Sequence, residues 1–89
     1  MKFEWDNNKE ANNIKKHGIS FIVAAQLFFK PHYEKRSDQN NEERYLAVGE
    51  LEGRVLAVVY TRREEKYRII SARRANKHEE AAYKKNRQI

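Results

Sequence analysis

Six consecutive apolar residues, Val55 to Tyr60, constrain the fold of this chain more than any other feature. A strand with one face in water alternates apolar and polar residues, whereas this segment is apolar at every position. It is therefore predicted to be a central strand of a sheet, with other elements packed against both of its faces.

The segments around this run carry the two-residue period of further strands. The period changes from helical to strand-like after Pro31, and the polar stretch 37–43 is predicted to be a loop. Turns are predicted at residues 52–53 and 63–65, which makes the connections short and the pairing antiparallel. The predicted strands cover residues 32–36, 44–51, 54–61 and 66–72. Together they predict an antiparallel meander.

The N-terminal part is predicted to form a short strand, 2–5, and two helices. Asp6 is placed to cap the first helix, over about residues 7–17, and Gly18 follows its end. Ser20 can cap a second helix, which ends at Pro31. The apolar residues of the second helix recur at i, i+3, i+4 and i+7, a stripe that faces a core. These residues are Phe21, Ala24, Ala25 and Phe28.

A third helix is predicted over about residues 75–87, with a small apolar side formed by Ala75, Ala82 and Tyr83. The first two helices are expected to cover one face of the sheet, and the third to cover little of the other. Part of the second face is then left for a partner. The predicted fold is α+β, an antiparallel meander sheet flanked by two N-terminal helices and a C-terminal helix.

Length and composition indicate one soluble domain, residues 1–89. The sequence has no run of 18 apolar residues and no layout of a secretory signal, so we expect a cytoplasmic protein without membrane association. It has no cysteine, so no disulfide strengthens the small core. A permanent partner that covers apolar surface would add stability.

The net charge of +6 lies entirely in the last third of the chain. Residues 1–61 contain nine Lys or Arg and nine Asp or Glu, whereas residues 62–89 contain ten and four. This asymmetry favours a polyanion or an acidic protein surface as partner. A solvated basic helix with no such partner is the alternative that charge alone leaves open.

Metal-dependent and nucleotide-dependent chemistry find little support in the sequence. The three histidines, at positions 17, 32 and 78, are far apart and form no metal-binding motif. The three glycines, at positions 18, 49 and 53, form no phosphate-binding loop. We therefore expect no metal site and no cofactor.

Metal-free cleavage of RNA requires a base for the ribose 2′-hydroxyl, cations for the charge that develops on phosphorus, and an acid for the leaving oxygen. Four strand-borne arginines could supply the cations: Arg44, Arg62, Arg68 and Arg73. Strict alternation along a strand would place Arg68 and Arg73 on opposite faces, unless the chain has turned into the last helix by then. Both are then not expected to serve one site.

The acid and the base are harder to assign, because arginine stays protonated. The candidates are His17, Lys9, Lys16, Tyr83 and a glutamate at position 42 or 43. Histidine changes its charge nearest to neutral pH, but a histidine in the last turn of a helix can also simply complement the helix dipole. The two lysines could be only solvated, and Tyr83 could only pack its helix onto the sheet. We predict His17, Arg44, Arg62, Arg68, Arg73 and Tyr83 as catalytic candidates.

A second set of candidates would bind RNA rather than react with it. Trp5 could stack on a base, although a tryptophan in this position is also a natural core residue. The predicted RNA-binding residues are Trp5, Lys9, Lys16 and Arg74. Ser71 has no histidine at a spacing that would activate it, so it is not predicted to be a nucleophile.

Several motifs in order resemble the BrnT-type toxins of bacterial type II toxin–antitoxin systems. The motifs are Phe3-Glu4-Trp5-Asp6, Lys9 and Asn13, Lys16-His17-Gly18-Ile19, Phe28, Glu43-Arg44, Arg68-Ile69-Ile70-Ser71-Ala72-Arg73, and Glu80 with Tyr83. The resemblance covers most of the chain and is weakest at residues 37–43. Pro31-His32-Tyr33 and Asn40-Asn41 depart from the family pattern, which bears on the conformation of that region.

The resemblance implies a RelE-like fold and a metal-independent endoribonuclease that blocks translation. It also implies a cognate ribbon-helix-helix antitoxin, similar to BrnA, and contact with operator DNA only through the toxin–antitoxin complex. Two alternatives remain at this point: a basic module that binds nucleic acid without cutting it, and a protein-interaction module.

Overall fold

The computed structural model describes residues 1–86 and has an α+β architecture of five strands and three α-helices in that range. The second helix continues into a 3₁₀ turn at Gln26–Phe29. The predicted end of the last helix, residue 87, lies outside the described residues. The elements are β1 (Lys2–Glu4), α1 (Asn7–His17), α2 (Phe21–Ala25), β2 (His32–Arg36), β3 (Tyr45–Leu51), β4 (Arg54–Arg63), β5 (Lys66–Arg74) and α3 (Lys77–Asn86).

The strands of the described chain form one sheet in the order β1-β5-β4-β3-β2. Strands β2 to β5 pair with their neighbours in antiparallel fashion, whereas β1 pairs in parallel with β5. The sheet is therefore mixed, and the prediction of an antiparallel sheet was wrong for β1. Parallel pairing needs a long crossover between its two strands, and here the chain from α1 to β4 supplies it.

Local capping chemistry sets the limits of the first two helices, as the sequence predicted. The Asp6 carboxylate accepts hydrogen bonds from the backbone N–H groups of Asn8 and Lys9, at 2.8 and 3.1 Å. Gly18 ends α1 at φ +72°, a left-handed conformation that glycine adopts without strain. Ser20 caps α2 through a bond from the Val23 N–H.

One face of the sheet, called the α2 face and carrying Leu56 and Val58 of β4, packs against α2 and its 3₁₀ extension. The predicted helical stripe of Phe21, Ala24, Ala25 and Phe28 is buried there. The prediction that α1 also covers this face was wrong, because Asn13 is the one buried residue of this fully described helix. Instead α1 lies beside β5.

The other face, called the α3 face, carries Ala57 and Val59 of β4 and is partly covered by α3. Tyr83 is buried against Leu46, Val48 and Ala57. Strand β4 therefore has packed residues on both faces and lies between β3 and β5, which confirms the prediction from its apolar run. No helix within residues 1–86 is long and apolar enough to cross a membrane.

Candidate functional site

A groove of about 210 Å³ lies between α1 and β5 and is lined mainly by polar side chains. We call it the α1–β5 groove. Helix α1 contributes Lys9, Asn12, Asn13, Lys16 and His17, and β5 contributes Ile70 and Ser71. The sequence predictions for Lys9, Lys16 and His17 therefore fall on one surface.

Helical spacing explains why α1 presents these groups together. Residues 9, 12, 13 and 16 follow the i, i+3, i+4, i+7 pattern of one helix face, and His17 is in the last turn. In an ordinary surface helix, the positions that face the core carry apolar side chains. In α1 these positions carry lysine and asparagine. The side of α1 that faces the sheet is thus polar and can meet a charged ligand.

A β-bulge in β5 decides which side chains share a face with Ser71. Val59 pairs with Ser71 but Tyr60 pairs with Ile69, so Ile70 is an extra residue. Because of it, Arg68 and Arg73 both fall on the α3 face, as does Ser71. The expectation that these two arginines point to opposite faces was wrong, since it assumed strict alternation.

Arg68 lies on the α3 face three residues before Ser71, and its side chain is 30% exposed. Its Nη1 donates to the Glu4 carboxylate at 3.2 Å, and Lys66 lies 3.9 Å from the same carboxylate. One glutamate thus faces two cations. Arg68 keeps donor groups that can reach an anion in solvent.

Arg44 precedes β3 and is held by the loop before it. Its Nε donates to Glu42 at 2.8 Å, and its Nη1 donates to Gln39 at 2.9 Å. The hydrogen bond from Arg44 lowers the pKa of Glu42, and the charges of Lys9 and Arg63 lower it further. Arg44 is therefore in the electrostatic neighbourhood of Lys9, and a ligand would have to compete with Glu42 for its guanidinium.

Two predicted residues lie on the α2 face, away from the groove. Arg62 stacks its guanidinium over the rings of Tyr45 and Tyr67, at 5.1 and 5.3 Å from their centroids. Arg74 pairs in register with Leu56 and is exposed. Their predicted catalytic and RNA-binding roles stay predictions, and the structure does not bring them to Lys9 and His17.

Arg73 shares the α3 face but makes a structural ion pair. Its two terminal nitrogens donate to the two Glu79 oxygens at 2.7 and 2.8 Å, which raises the pKa of Arg73 and lowers that of Glu79. Glu79 also accepts from the Asn76 N–H, while the Asn76 side chain accepts from the Glu79 N–H. This capping box starts α3, and the ion pair of Glu79 with Arg73 joins it to β5.

Tyr83 and Trp5 occupy packing positions, the alternative that the sequence analysis left open for each. Tyr83 is 6% exposed in the cluster beneath α3. Trp5 packs edge-to-face on Phe21, with ring centroids 6.0 Å apart. Neither side chain lines the α1–β5 groove.

We predict that the Glu79–Arg73 pair stabilises the fold near neutral pH and loses this effect in acid. The hydrogen bonds from Arg73 hold the pKa of Glu79 below its ordinary value of 4.5, so the stabilisation is present above that value and lost as pH falls through the folded-state pKa. Glu79→Gln should lower the free energy of unfolding by about 1–3 kcal/mol at neutral pH. Urea unfolding of the wild type and of Glu79→Gln should show that the difference between their free energies of unfolding disappears well below pH 4.5. A difference that is constant with pH would contradict the prediction.

Comparison with known proteins identifies the family. The sequence model described as "Ribonuclease toxin, BrnT, of type II toxin-antitoxin system" matches residues 5–79. The chain belongs to the BrnT family. The resemblance stated from the motifs is thus confirmed.

A solved BrnT structure is similar to this chain. The crystal structure of the Brucella abortus ribonuclease toxin BrnT superposes with a TM-score of 0.65 and 31% sequence identity, over 86% of this chain and 99% of that chain. No curated protein sequence matches this chain. A BrnT toxin of a type II system implies an antitoxin partner.

Sequence reasoning on this BrnT-family toxin missed Asn12 as a groove residue, although its position three residues after Lys9 was a usable signal. It also missed a cluster on the α2 face in which Tyr60 donates to Glu34, and Glu34 contacts His32 at 2.6 Å. No local sequence pattern predicts that cluster. Within residues 1–86, no group of three or more metal-ligating side chains is placed to hold an ion.

Proposed function

We propose that this BrnT-family chain is an endoribonuclease that cuts RNA in the α1–β5 groove without a metal ion, and that this cleavage blocks translation. One observation carries the proposal: Lys9, Lys16 and His17 of α1 line a groove with Ser71 of β5, and Arg68 lies on the same face of the sheet as Ser71. A phosphodiester is the anion that such a surface attracts, and the net charge of +6 favours a polyanion as ligand.

The reaction would use the ribose 2′-hydroxyl as nucleophile. A base removes its proton, the 2′-oxygen bonds to phosphorus, and the bond from phosphorus to the 5′-oxygen breaks as an acid protonates the leaving oxygen. The products are a 2′,3′-cyclic phosphate and a 5′-hydroxyl. His17 is the proposed proton carrier, since imidazole can both accept and donate a proton near neutral pH. Arg68, Lys9 and Lys16 would stabilise the charge on the phosphorane.

A cognate antitoxin would neutralise the activity. We propose a ribbon-helix-helix antitoxin similar to BrnA, which carries the DNA-binding surface, so that this chain contacts operator DNA only through the complex. We further propose a RelE-like fold relationship and action in the cytoplasm. The α+β sheet and the type II family support these proposals.

Incubation of the purified protein with single-stranded RNA in excess EDTA tests the activity. We expect internal cuts that leave 2′,3′-cyclic phosphate ends. A second arm, in Mg²⁺ buffer without EDTA, contains translating ribosomes and detects cleavage that occurs only on the ribosome. Loss of cleavage in EDTA that returns with added metal would contradict metal independence. Intact RNA in both arms, with binding that weakens steeply as salt rises, would instead indicate a binding module.

Lys16→Ala should lower kcat/KM for RNA about 10- to 100-fold, because a charged hydrogen bond to phosphate contributes about 1.5–3 kcal/mol. Lys15→Ala is the matched control, since Lys15 is the adjacent residue of α1, is exposed, and does not line the groove. It removes the same charge and should change kcat/KM by less than about twofold. Equal losses in both variants would show a general charge effect and remove Lys16 from the site.

A further inference from the structure

Helix α1 has no buried apolar residue that would hold it to the rest of the protein. Its one buried residue, within a helix that the structure describes completely, is Asn13, which is 6% exposed. Ile14 of the same helix is 45% exposed. A surface helix ordinarily docks by burying an apolar stripe, so another interaction must position this one.

The Asn13 side chain supplies that interaction through three hydrogen bonds. Its Nδ2 donates to the Ala72 carbonyl and to the Ile19 carbonyl, both at 2.9 Å, and its Oδ1 accepts from the Ala72 N–H at 3.1 Å. Strand β1 pairs with β5 only at residues 66–68. At Ala72 the Asn13 amide therefore bonds the strand edge as a neighbouring backbone would.

The bonded position is adjacent to the groove. Ala72 directly follows Ser71 and the bulged Ile70, and Asn13 lies between Lys9 and Lys16 along the helix. The bond to Ile19 also holds the segment after Gly18, and Glu10 accepts from the Phe21 N–H at 3.0 Å. These bonds fix both the distance and the rotation of α1 relative to β5.

We propose that Asn13 is the positioning residue of the active site: its amide holds α1 against the β5 edge and so sets the spacing between the α1 side chains and Arg68. The proposal rests on the proposed ribonuclease function for its effect on cleavage, but its effect on α1 docking does not. Asn13 lines the groove, but its amide is bonded to Ile19 and Ala72, so in this role it acts without contacting RNA. It acts through Lys9, Lys16 and His17.

Two variants test the proposal against a matched control. Asn13→Ala removes all three bonds, and Asn13→Asp retains the acceptor but removes both donors. Asn8→Ala changes another asparagine of α1, which is exposed, does not line the groove and makes none of these bonds. Amide hydrogen exchange would follow Ala72 and α1, with the amides of the central strand β4 as an internal reference.

We expect both Asn13 variants to lose protection at the Ala72 amide and along α1, while β4 stays protected. Asn8→Ala should keep protection at all three places. In RNA cleavage, Asn13→Ala should lower kcat about 100-fold with a smaller change in KM, because it misplaces the reacting groups. Adding Lys16→Ala to Asn13→Ala should lower kcat only slightly further, because an undocked helix no longer places Lys16 in the groove.

Each contrary outcome has a separate meaning. The proposal fails if α1 and Ala72 stay protected in Asn13→Ala. It also fails if β4 loses as much protection as α1 in both Asn13 variants, because Asn13 then does not position α1 specifically. If α1 undocks but cleavage is unchanged, or the two substitutions are additive, the positioning role fails while the ribonuclease function stands. If the wild type does not cleave RNA, the proposed function fails, and the exchange data alone decide whether Asn13 docks α1.

Discussion

Arg68→Ala is expected to lower kcat/KM for RNA cleavage by about 100- to 1,000-fold, the usual loss when one preorganised donor to developing charge is removed. Arg68 is a strand-borne cation on the same face as Ser71. It pairs with a carboxylate through one terminal nitrogen, whereas Arg73 uses both of its terminal nitrogens. Cleavage products would be measured under single-turnover conditions, so that the chemical step is observed.

The fold should survive this substitution. The Arg68–Glu4 pair is partly exposed, and such pairs contribute at most about 1 kcal/mol. Glu4 also retains Lys66 at 3.9 Å. The midpoint of urea unfolding should therefore shift little, which separates a lost site from a lost fold.

Arg54→Ala is the matched control for Arg68→Ala. Arg54 opens β4, its side chain is 34% exposed, and it faces a single glutamate, Glu52, at 3.8 Å. It thus resembles Arg68 in exposure and pairing but lies at the other end of the hairpin. Cleavage should be nearly unchanged in this variant. If both variants lose activity alike, or neither does, Arg68 is not part of the site.

Tyr60→Ala should lower the free energy of unfolding by about 3–5 kcal/mol, the range for truncating a large buried aromatic residue. Tyr60 is fully buried at the centre of the α2 face. Its ring stacks between Tyr45 and Tyr67, with centroids 5.4 and 5.3 Å away, and meets the edge of Phe28 at 4.9 Å. Equilibrium urea unfolding measures the loss.

Tyr60→Phe separates the ring from its hydroxyl. Burial and the bond to Glu34 raise the pKa of Tyr60, so the hydroxyl stays protonated and donates to the carboxylate. Burial alone would raise the pKa of Glu34, but the bonds from Tyr60 and His32 hold it below its ordinary value. Loss of the hydroxyl should lower the free energy of unfolding by about 1–3 kcal/mol.

Cleavage by Tyr60→Phe should be unaffected, because this cluster lies on the α2 face, opposite the Arg68 side of the sheet. If Tyr60→Phe lowers the free energy of unfolding as much as Tyr60→Ala does, the stabilisation comes from the hydrogen bond and not from ring packing. A large drop in cleavage with stability retained would link the cluster to the active site and contradict its structural role.

Local sequence signals predicted most of the elements because those signals act over a few residues. Asp6, Gly18 and Ser20 determine helix ends through their own hydrogen bonds or backbone angles. The uniformly apolar run Val55 to Tyr60 predicted a central strand, and strand β4 is central. The family motifs likewise predicted membership in the BrnT family, which the match over residues 5–79 confirms.

The same local reasoning failed where partners come from distant parts of the chain. Nothing in residues 2–5 indicates that β1 pairs in parallel with β5, since that choice depends on where the last hairpin brings β5. The docking of α1 through Asn13 and Ala72 joins residues 59 positions apart. Periodicity carries no information about such a bond.

The sequence by itself determined the helix and strand segments, the central position of β4, the basic character of the chain and its family, because each follows from composition, spacing or capping within short windows. Only the tertiary structure decided which charged residues meet. The extra residue Ile70 shifts the alternation of β5 and places Arg68 and Arg73 on one face, and hydrogen bonding at the β5 edge brings Lys9, Lys16 and His17 beside Ser71. Both effects depend on pairing between strands and helices that are distant in sequence, so no single segment encodes them.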